Sequence, residues 1–304
     1  MTPCQPGILE PIPAAGRYLP FHLAASAGTQ AVRQALARLV PLADGRGVVV
    51  GIAPSVVQSL GAAIPGLHEC PDFSRGALKI PVTPGGLWCW LRGDEPGDLL
   101  PATRAVQEAL APAFVPGHVV DGFCHHRSET GHGRDLTGYE DGTENPEGEA
   151  AEEAALAHGL GEGLDGGSYV AVQQWVHDFA AFEAKDARGR DFAIGRRLSD
   201  NAELEEAPQT AHVKRTAQES FDPEAFVVRR SMPWALSLQA GLMFVCFGKS
   251  FQAFEQQMRR MTGHEDRLVD ALFDFSRPVN GAYYWCPPLR AGRLDLRRLG
   301  VTAA

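Results

Sequence analysis

Three places in this 304-residue chain put reactive side chains together in ways that could do chemistry. The first is Gly138-Tyr139-Glu140-Asp141-Gly142-Thr143-Glu144-Asn145-Pro146, three carboxylates framed by glycines that tolerate positive φ and close approach of a bulky group. Such a loop is a solvated turn, a cation site or a place where a proton moves. As a calcium loop, the set Asp135, Glu140, Asp141 and Glu144 lacks the alternating ligand pattern. The second place is His212, in Thr210-Ala-His-Val-Lys-Arg-Thr216 and close before an expected strand. Alone it reads as a hydrogen-bonded surface histidine or as a ligand, and imidazole suits iron, copper and zinc alike. There is no His-x-His, no His-Glu-x-x-His and no carboxylate at ligand spacing, so a metal held by His212 must bring most of its own ligands, which points to haem. The third is Arg229-Arg230-Ser231 inside an apolar run, where period 2 puts Arg229 and Ser231 on one face and Arg230 on the other. An arginine turned into a buried face is costly unless it meets an anion; Asp141 is an available partner, and a carboxylate on the sheet surface is the plainer one.

The remaining candidates say less. His125, His126, Arg127 and His132 form a basic patch ahead of the acidic loop, and the other histidines show no partner pattern. The five tryptophans and five tyrosines read as core or rim residues. None of the six cysteines forms a Cys-x-x-Cys pair, which removes the usual signatures of structural zinc and of covalently attached haem.

The elements that must position these residues follow from hydrophobic period. Strands are expected at 17–24, 47–53, 86–91 and 115–123, with helices at 29–42, near 55–60 and at 99–110. The order repeats after a polar Ala/Glu/Gly stretch at 147–167, flexible or a short helix. Strands then fall at 167–176, 226–234, 241–247 and 281–286, with helices starting at 179 and covering 251–261 and 266–275. Two rounds of β-α-β order predict an α+β fold of two ferredoxin-like (split β-α-β) domains, residues 1–130 and 131–304, packed as a duplicated sandwich around a pocket. A net charge of −9 with scattered basic residues argues against nucleic acid, and no apolar run reaches membrane-spanning length. With no basic, apolar or cleavage-like leader, a cytoplasmic protein is expected.

Taken together these residues resemble the dye-decolorising peroxidases. Gly138-x-x-Asp141-Gly142 with Thr-Glu-Asn-Pro after it matches that family's signature, and Arg134-Asp-Leu-Thr-Gly138 leads into it. Gly166-Gly-Ser-Tyr-Val-Ala-Val-Gln-Gln-Trp175, Ile194-Gly-Arg196, Ala211-His212, Val228-Arg229-Arg-Ser231, Gly241-Leu-Met-Phe244, Glu255-Gln-Gln257 and Arg277-Pro-Val-Asn-Gly-Ala-Tyr-Tyr284 continue in family order. The match is dense over 130–288 and loose before it, and is similar above all to the compact bacterial YfeX-like members. His212 stands 71 residues after Asp141 and Arg229 another 17 on, which makes the set far more specific than the glycine motif alone.

The resemblance implies a haem b peroxidase, its haem held non-covalently, using hydrogen peroxide to oxidise small organic or dye-like reductants through a ferryl intermediate. It implies His212 as proximal iron ligand, Asp141 and Arg229 as the distal pair, and Ser231 as a polar residue ordering distal water. It further implies Arg196 at the haem edge facing a propionate, Phe244 on the distal haem face, and Asp270 as acceptor of the other ring N–H of His212, with Asp266 close enough in sequence to compete. Because Asp141 must act as an acid, an acidic pH optimum is expected. Family members are homo-oligomers, dimers or larger rings. A haem-handling protein, with porphyrin or iron as cargo and peroxidation incidental, is the alternative; it needs His212 but not Asp141 or Arg229.

Overall fold

Residues 3–126 and 132–301 are described by a computed structural model of the chain. The first half supplies β1 (Ala15–Leu23), α1 (Thr29–Leu39), β2 (Val48–Ile52), α2 (Pro54–Ser59), β3 (Leu87–Gly93), α3 (Leu99–Leu110), β4 (Phe114–Pro116) and β5 (Val120–Phe123). The second supplies α4 (Gly148–Ala155), β6 (Ser168–His177), α5 (Phe179–Glu183), α6 (Ala187–Ile194), α7 (His212–Thr216), β7 (Val228–Arg229), β8 (Met232–Leu236), β9 (Gln239–Gly248), α8 (Gln252–Met261), β10 (Ser276–Pro278) and β11 (Ala282–Cys286). The fold is mixed α/β.

The strands read as unbroken apolar runs because both of their faces are covered. On β3, Trp88 and Trp90 face one buried cluster with Tyr18, Val49, Phe247 and Tyr284, while Leu87, Cys89 and Leu91 face another with Leu36, Leu39 and Leu110 of α1 and α3. Both helices follow from i, i+3, i+4, i+7 burial, as in Val32, Ala35, Leu36 and Leu39 of α1 and in Phe254, Gln257, Met258 and Met261 of α8.

The pairing order is β5-β1-β3-β2 in the first half and β8-β9-β6-β11 in the second, antiparallel throughout. The two sets are not separate sheets stacked face to face. They join edge to edge, β2 to β11 through Trp285↔Ile52 and β5 to β8 through Gly122↔Trp234, each seam a single register pair. The circuit closes around the aromatic cluster. Its longest pairing is β6 with β9, over Tyr169–Val176 against Gly241–Gly248. A Cβ at Gly241 would lie 2.0 Å from the Trp175 carbonyl oxygen, so only glycine allows that strand to approach. Gly241→Ala is therefore expected to cost about 3 kcal/mol or more, read as a lower urea midpoint; an unchanged midpoint would show that β6 and β9 part freely.

Several expected elements differ. The strand expected at 115–123 is split into β4 and β5, and that at 226–234 into β7 and β8. Residues 266–275 do not form an α-helix: Arg267 has φ 69°, and only a 3-10 turn at Ala271–Asp274 follows. His212 opens α7 rather than preceding a strand directly. The polar stretch 147–167 contributes α4. Arg127 of the basic patch lies outside the described residues. No helix among the described residues is long and apolar enough to cross a membrane.

Candidate active site

In the first half, α1 and α3 pack directly on the sheet. In the second half, α7 and α8 leave a cavity against the outer face of β6 and β9, walled on a further side by the acidic loop. It encloses about 1360 Å³ free of protein atoms, its open mouth and the solvent in it included. Trp175, Leu242, Phe244, Phe254, Met258 and Leu272 give it apolar walls. Asp141, Arg229, His212 and Arg196 open into it as well.

The loop is a short hairpin. Asp141 N–H donates to the Gly133 carbonyl (3.0 Å) and Asp135 N–H to that of Tyr139 (2.8 Å), with Gly138 turning at φ 94°. Burial pushes the Asp141 carboxyl above its ordinary range; Arg229 opposes that shift, and the nearby Asp135 adds to it. Of its neighbours, Glu144 is exposed, but Glu140 is not the solvent-facing residue its position in the loop would imply: its side chain is 10% exposed and pairs with Arg134 at 3.2 Å.

Arg229 reaches the cavity because β7 stops there. The Asn145 side chain takes over the ladder, its Oδ1 accepting from Arg229 N–H (2.7 Å) and its Nδ2 donating to the Arg229 carbonyl (3.0 Å). The Asn-Pro end of the acidic loop therefore fixes the arginine 84 residues away. Arg230 turns elsewhere, donating to the carbonyls of Ile8 (3.1 Å) and Leu9 (2.5 Å) in the N-terminal segment. Ser231 is not on the main cavity. It lines a neighbouring cavity that shares Asp141, Gly142 and Arg229, and its hydroxyl accepts from Val245 N–H at 3.4 Å.

His212 Nδ1 lies 2.8 Å from Asp270 Oδ2, and Asp270 Oδ1 accepts from Leu272 N–H at 2.8 Å. A carboxylate facing Nδ1 favours the tautomer with its hydrogen on Nδ1, and in that neutral ring Nε2 has its lone pair for a ligand bond. Asp266 is committed to Arg215 at 2.6 Å. Arg196 is bound by Glu144 (2.5 Å) and Glu203 (3.4 Å) at the cavity mouth, and Phe244 packs against Phe254 in the wall.

Asn145, Gln173, His177 and Asp135 belong to this site too; the sequence offered a ligand role only for Asp135, in a calcium loop, a turn for Asn145 and no partner for His177. The Asp135 carboxylate instead takes hydrogen bonds from Thr137 and His177, and the described residues contain no group of three His, Cys, Asp or Glu able to hold a metal ion. A glutamine pair and a histidine within the buried run Ser168–His177 were the available signal, since polar side chains in a doubly covered strand need partners.

Residues 132–291 match the family described as Dyp-type peroxidase, C-terminal. A dye-decolorizing peroxidase of Rhodococcus erythropolis is 28% identical over 297 residues, covering 92% of this chain and 85% of its own. A dye-decolorizing protein from V. cholerae superposes with a TM-score of 0.83 at 26% identity, covering 97% of this chain and 99% of its own. A variant of DypB from Rhodococcus jostii RHA1, solved in complex with heme, gives 0.83 at 25% identity, covering 92% of this chain and 95% of its own. The matched segment is just over half of the chain, and with the site residues of the acidic loop, α7 and β7 all inside it, the chain belongs to the Dyp-type peroxidase family.

Proposed function

We propose that this protein binds haem b in the cavity between β6/β9 and α7/α8 and uses hydrogen peroxide to oxidise small organic or dye-like reductants. The observation that carries the reading is one apolar cavity bordered by a histidine whose Nε2 is left for a metal and by a carboxylate–arginine pair. The residues present suit the group. The donor set offers one imidazole anchored from behind, apolar walls for a macrocycle and a cation at the mouth for a propionate. Gln173 Nε2, on the same wall, is buried with no hydrogen-bond partner among the described residues and could meet a polar edge of a ligand.

When bound, haem supplies the redox chemistry of peroxide cleavage. His212 would hold the iron, and Asp270 would orient the ring and raise its basicity. Asp141 would take a proton from one peroxide oxygen and return it to the other, directly or through water. Arg229 keeps a fixed positive charge where the departing oxygen becomes negative. Arg196 would exchange one of its carboxylate partners for a propionate. Phe244 would pack on a haem face, and Ser231 would order water in the adjoining cavity. We also propose that the two strand sets are ferredoxin-like repeats, each running β-α-β-β-α-β, divided near residue 131.

Asp141 must both accept and release a proton, so turnover should peak near its ionisation. Burial raises that ionisation from the ordinary carboxylate range, and the need for a protonated carboxyl to act as acid is what predicts an acidic optimum with loss toward pH 8. The test is titration of the purified protein with hemin, followed by peroxide turnover of a dye from pH 3 to 8. A Soret band at one haem per chain that shifts on adding peroxide, with an acidic optimum, is expected. No stoichiometric uptake would overturn the cofactor, and activity still rising at pH 8 would overturn Asp141 as the relay.

A further inference from the structure

The hairpin that presents Asp141 is only a few residues long, and an isolated two-stranded hairpin is marginally stable in water. Asp135 ties it to β6, beside the bond from Tyr139 to Asp191 and the Asn145 contacts with β7. Its Oδ1 accepts from Thr137 N–H (2.9 Å) and hydroxyl (2.6 Å), and its Oδ2 lies 3.0 Å from His177 Nε2. His177 Nδ1 is in turn 2.7 Å from Ser276 Oγ, and His177 and Ser276 are register partners where β6 meets β10. The side chains of His177 and Asp135 are 4% and 15% exposed, and both residues line the same cavity as Asp141.

Burial alone would raise the Asp135 carboxyl, but the hydrogen bond and charge of His177 and the two Thr137 donors hold it below the ordinary range. Asp135 is therefore held toward its anionic form on the same loop as Asp141. The groups bearing on Asp141 are Arg229 from β7, His212 from α7 and Asp135 from the hairpin. Those bearing on Asp135 are His177 from β6 and, within its own segment, Asp141 and His125.

We propose that Asp135, clamped by His177, is a positioning residue that fixes the hairpin presenting Asp141 and supplies the anionic charge Asp141 faces from its own loop. The charge half of this rests on the reading of Asp141 as proton relay, whereas the clamp half does not. The clamp is tested on haem-free protein by amide hydrogen exchange in Asp135→Asn, His177→Ala and His177→Gln. The Gly138 and Asp141 amides, whose acceptors lie within the hairpin, should exchange about tenfold faster or more in the first two variants, with β6 and β9 amides unchanged. His177→Gln, which can still donate to Asp135, should restore most of the protection. Unchanged exchange in both Asp135→Asn and His177→Ala would overturn the clamp.

The charge is tested by the acid limb of peroxide turnover in haem-loaded protein. Removing the neighbouring anion lets Asp141 ionise at lower pH, so the midpoint should move acidward in Asp135→Asn and stay in place in His177→Gln. Faster exchange with an unmoved midpoint would overturn the charge half. Absent turnover in the unmodified protein would sink the peroxidase reading instead, leaving the exchange result standing.

Discussion

Arg229→Leu is expected to lower kcat/KM for peroxide by about 10²- to 10³-fold, and Asp141→Ala by about 10²- to 10⁴-fold, both with haem still bound. In the proposed mechanism Arg229 supplies charge where charge develops, and its backbone is held by Asn145 whatever its side chain, so Leu should leave the local fold in place. In the same proposed mechanism Asp141 supplies the moving proton. Because both act on one bond cleavage, the double variant should lose much less than the product of the two single losses. Turnover unchanged in both single variants, with normal haem content, would leave a haem-handling protein as the better reading.

Asp141 also has a stability signature independent of turnover. Its folded ionisation lies above its unfolded one, so its contribution is fully present below the unfolded value and lost as pH rises through the folded value. At neutral pH burying this carboxyl is therefore a cost. Asp141→Asn should unfold at higher temperature than the parent at pH 7, the difference vanishing below about pH 3.9.

How far the sequence could carry this reading depended on whether partners were local. The double-sided apolar strands and the helices with i, i+3, i+4, i+7 spacing stood out because each pattern is complete within one segment. The seams Trp285↔Ile52 and Gly122↔Trp234 did not, since one residue pair in each leaves no pattern. Residues 266–275 looked helical because Leu268, Val269, Leu272 and Phe273 fall at helical spacing. Yet Arg267 takes positive φ, Asp270 caps a 3-10 turn, and Leu268 and Val269 stay 40% and 38% exposed. At the site, Asp141, His212 and Arg229 stood out only as a spaced set. Asp135 and His177, 42 residues apart, had no spacing to betray them, and Asn145 looked like a plain turn residue because its work is done on the backbone of a distant strand.

His212→Ala should abolish stable haem binding, and Asp270→Asn should weaken it by about 10- to 100-fold. The second effect follows from counting donors and acceptors. Asp270, its side chain wholly buried, accepts from Leu272 N–H with one oxygen and from His212 with the other. Asparagine has a single acceptor oxygen; if that oxygen serves Leu272, its amide group must donate to His212 Nδ1. The imidazole would then carry its hydrogen on Nε2, the atom needed for iron, and ligation would require either the other tautomer or a broken buried hydrogen bond. Asp266→Asn provides the contrast, because its partner is Arg215: it should lower the melting temperature while leaving haem affinity near that of the parent. Haem transfer to an excess of a high-affinity acceptor protein, followed at the Soret band, measures all three variants. Retention in His212→Ala equal to the parent would remove the histidine as iron ligand. Equal retention in Asp270→Asn and Asp266→Asn would show that the tautomer of His212 is set by something other than Asp270.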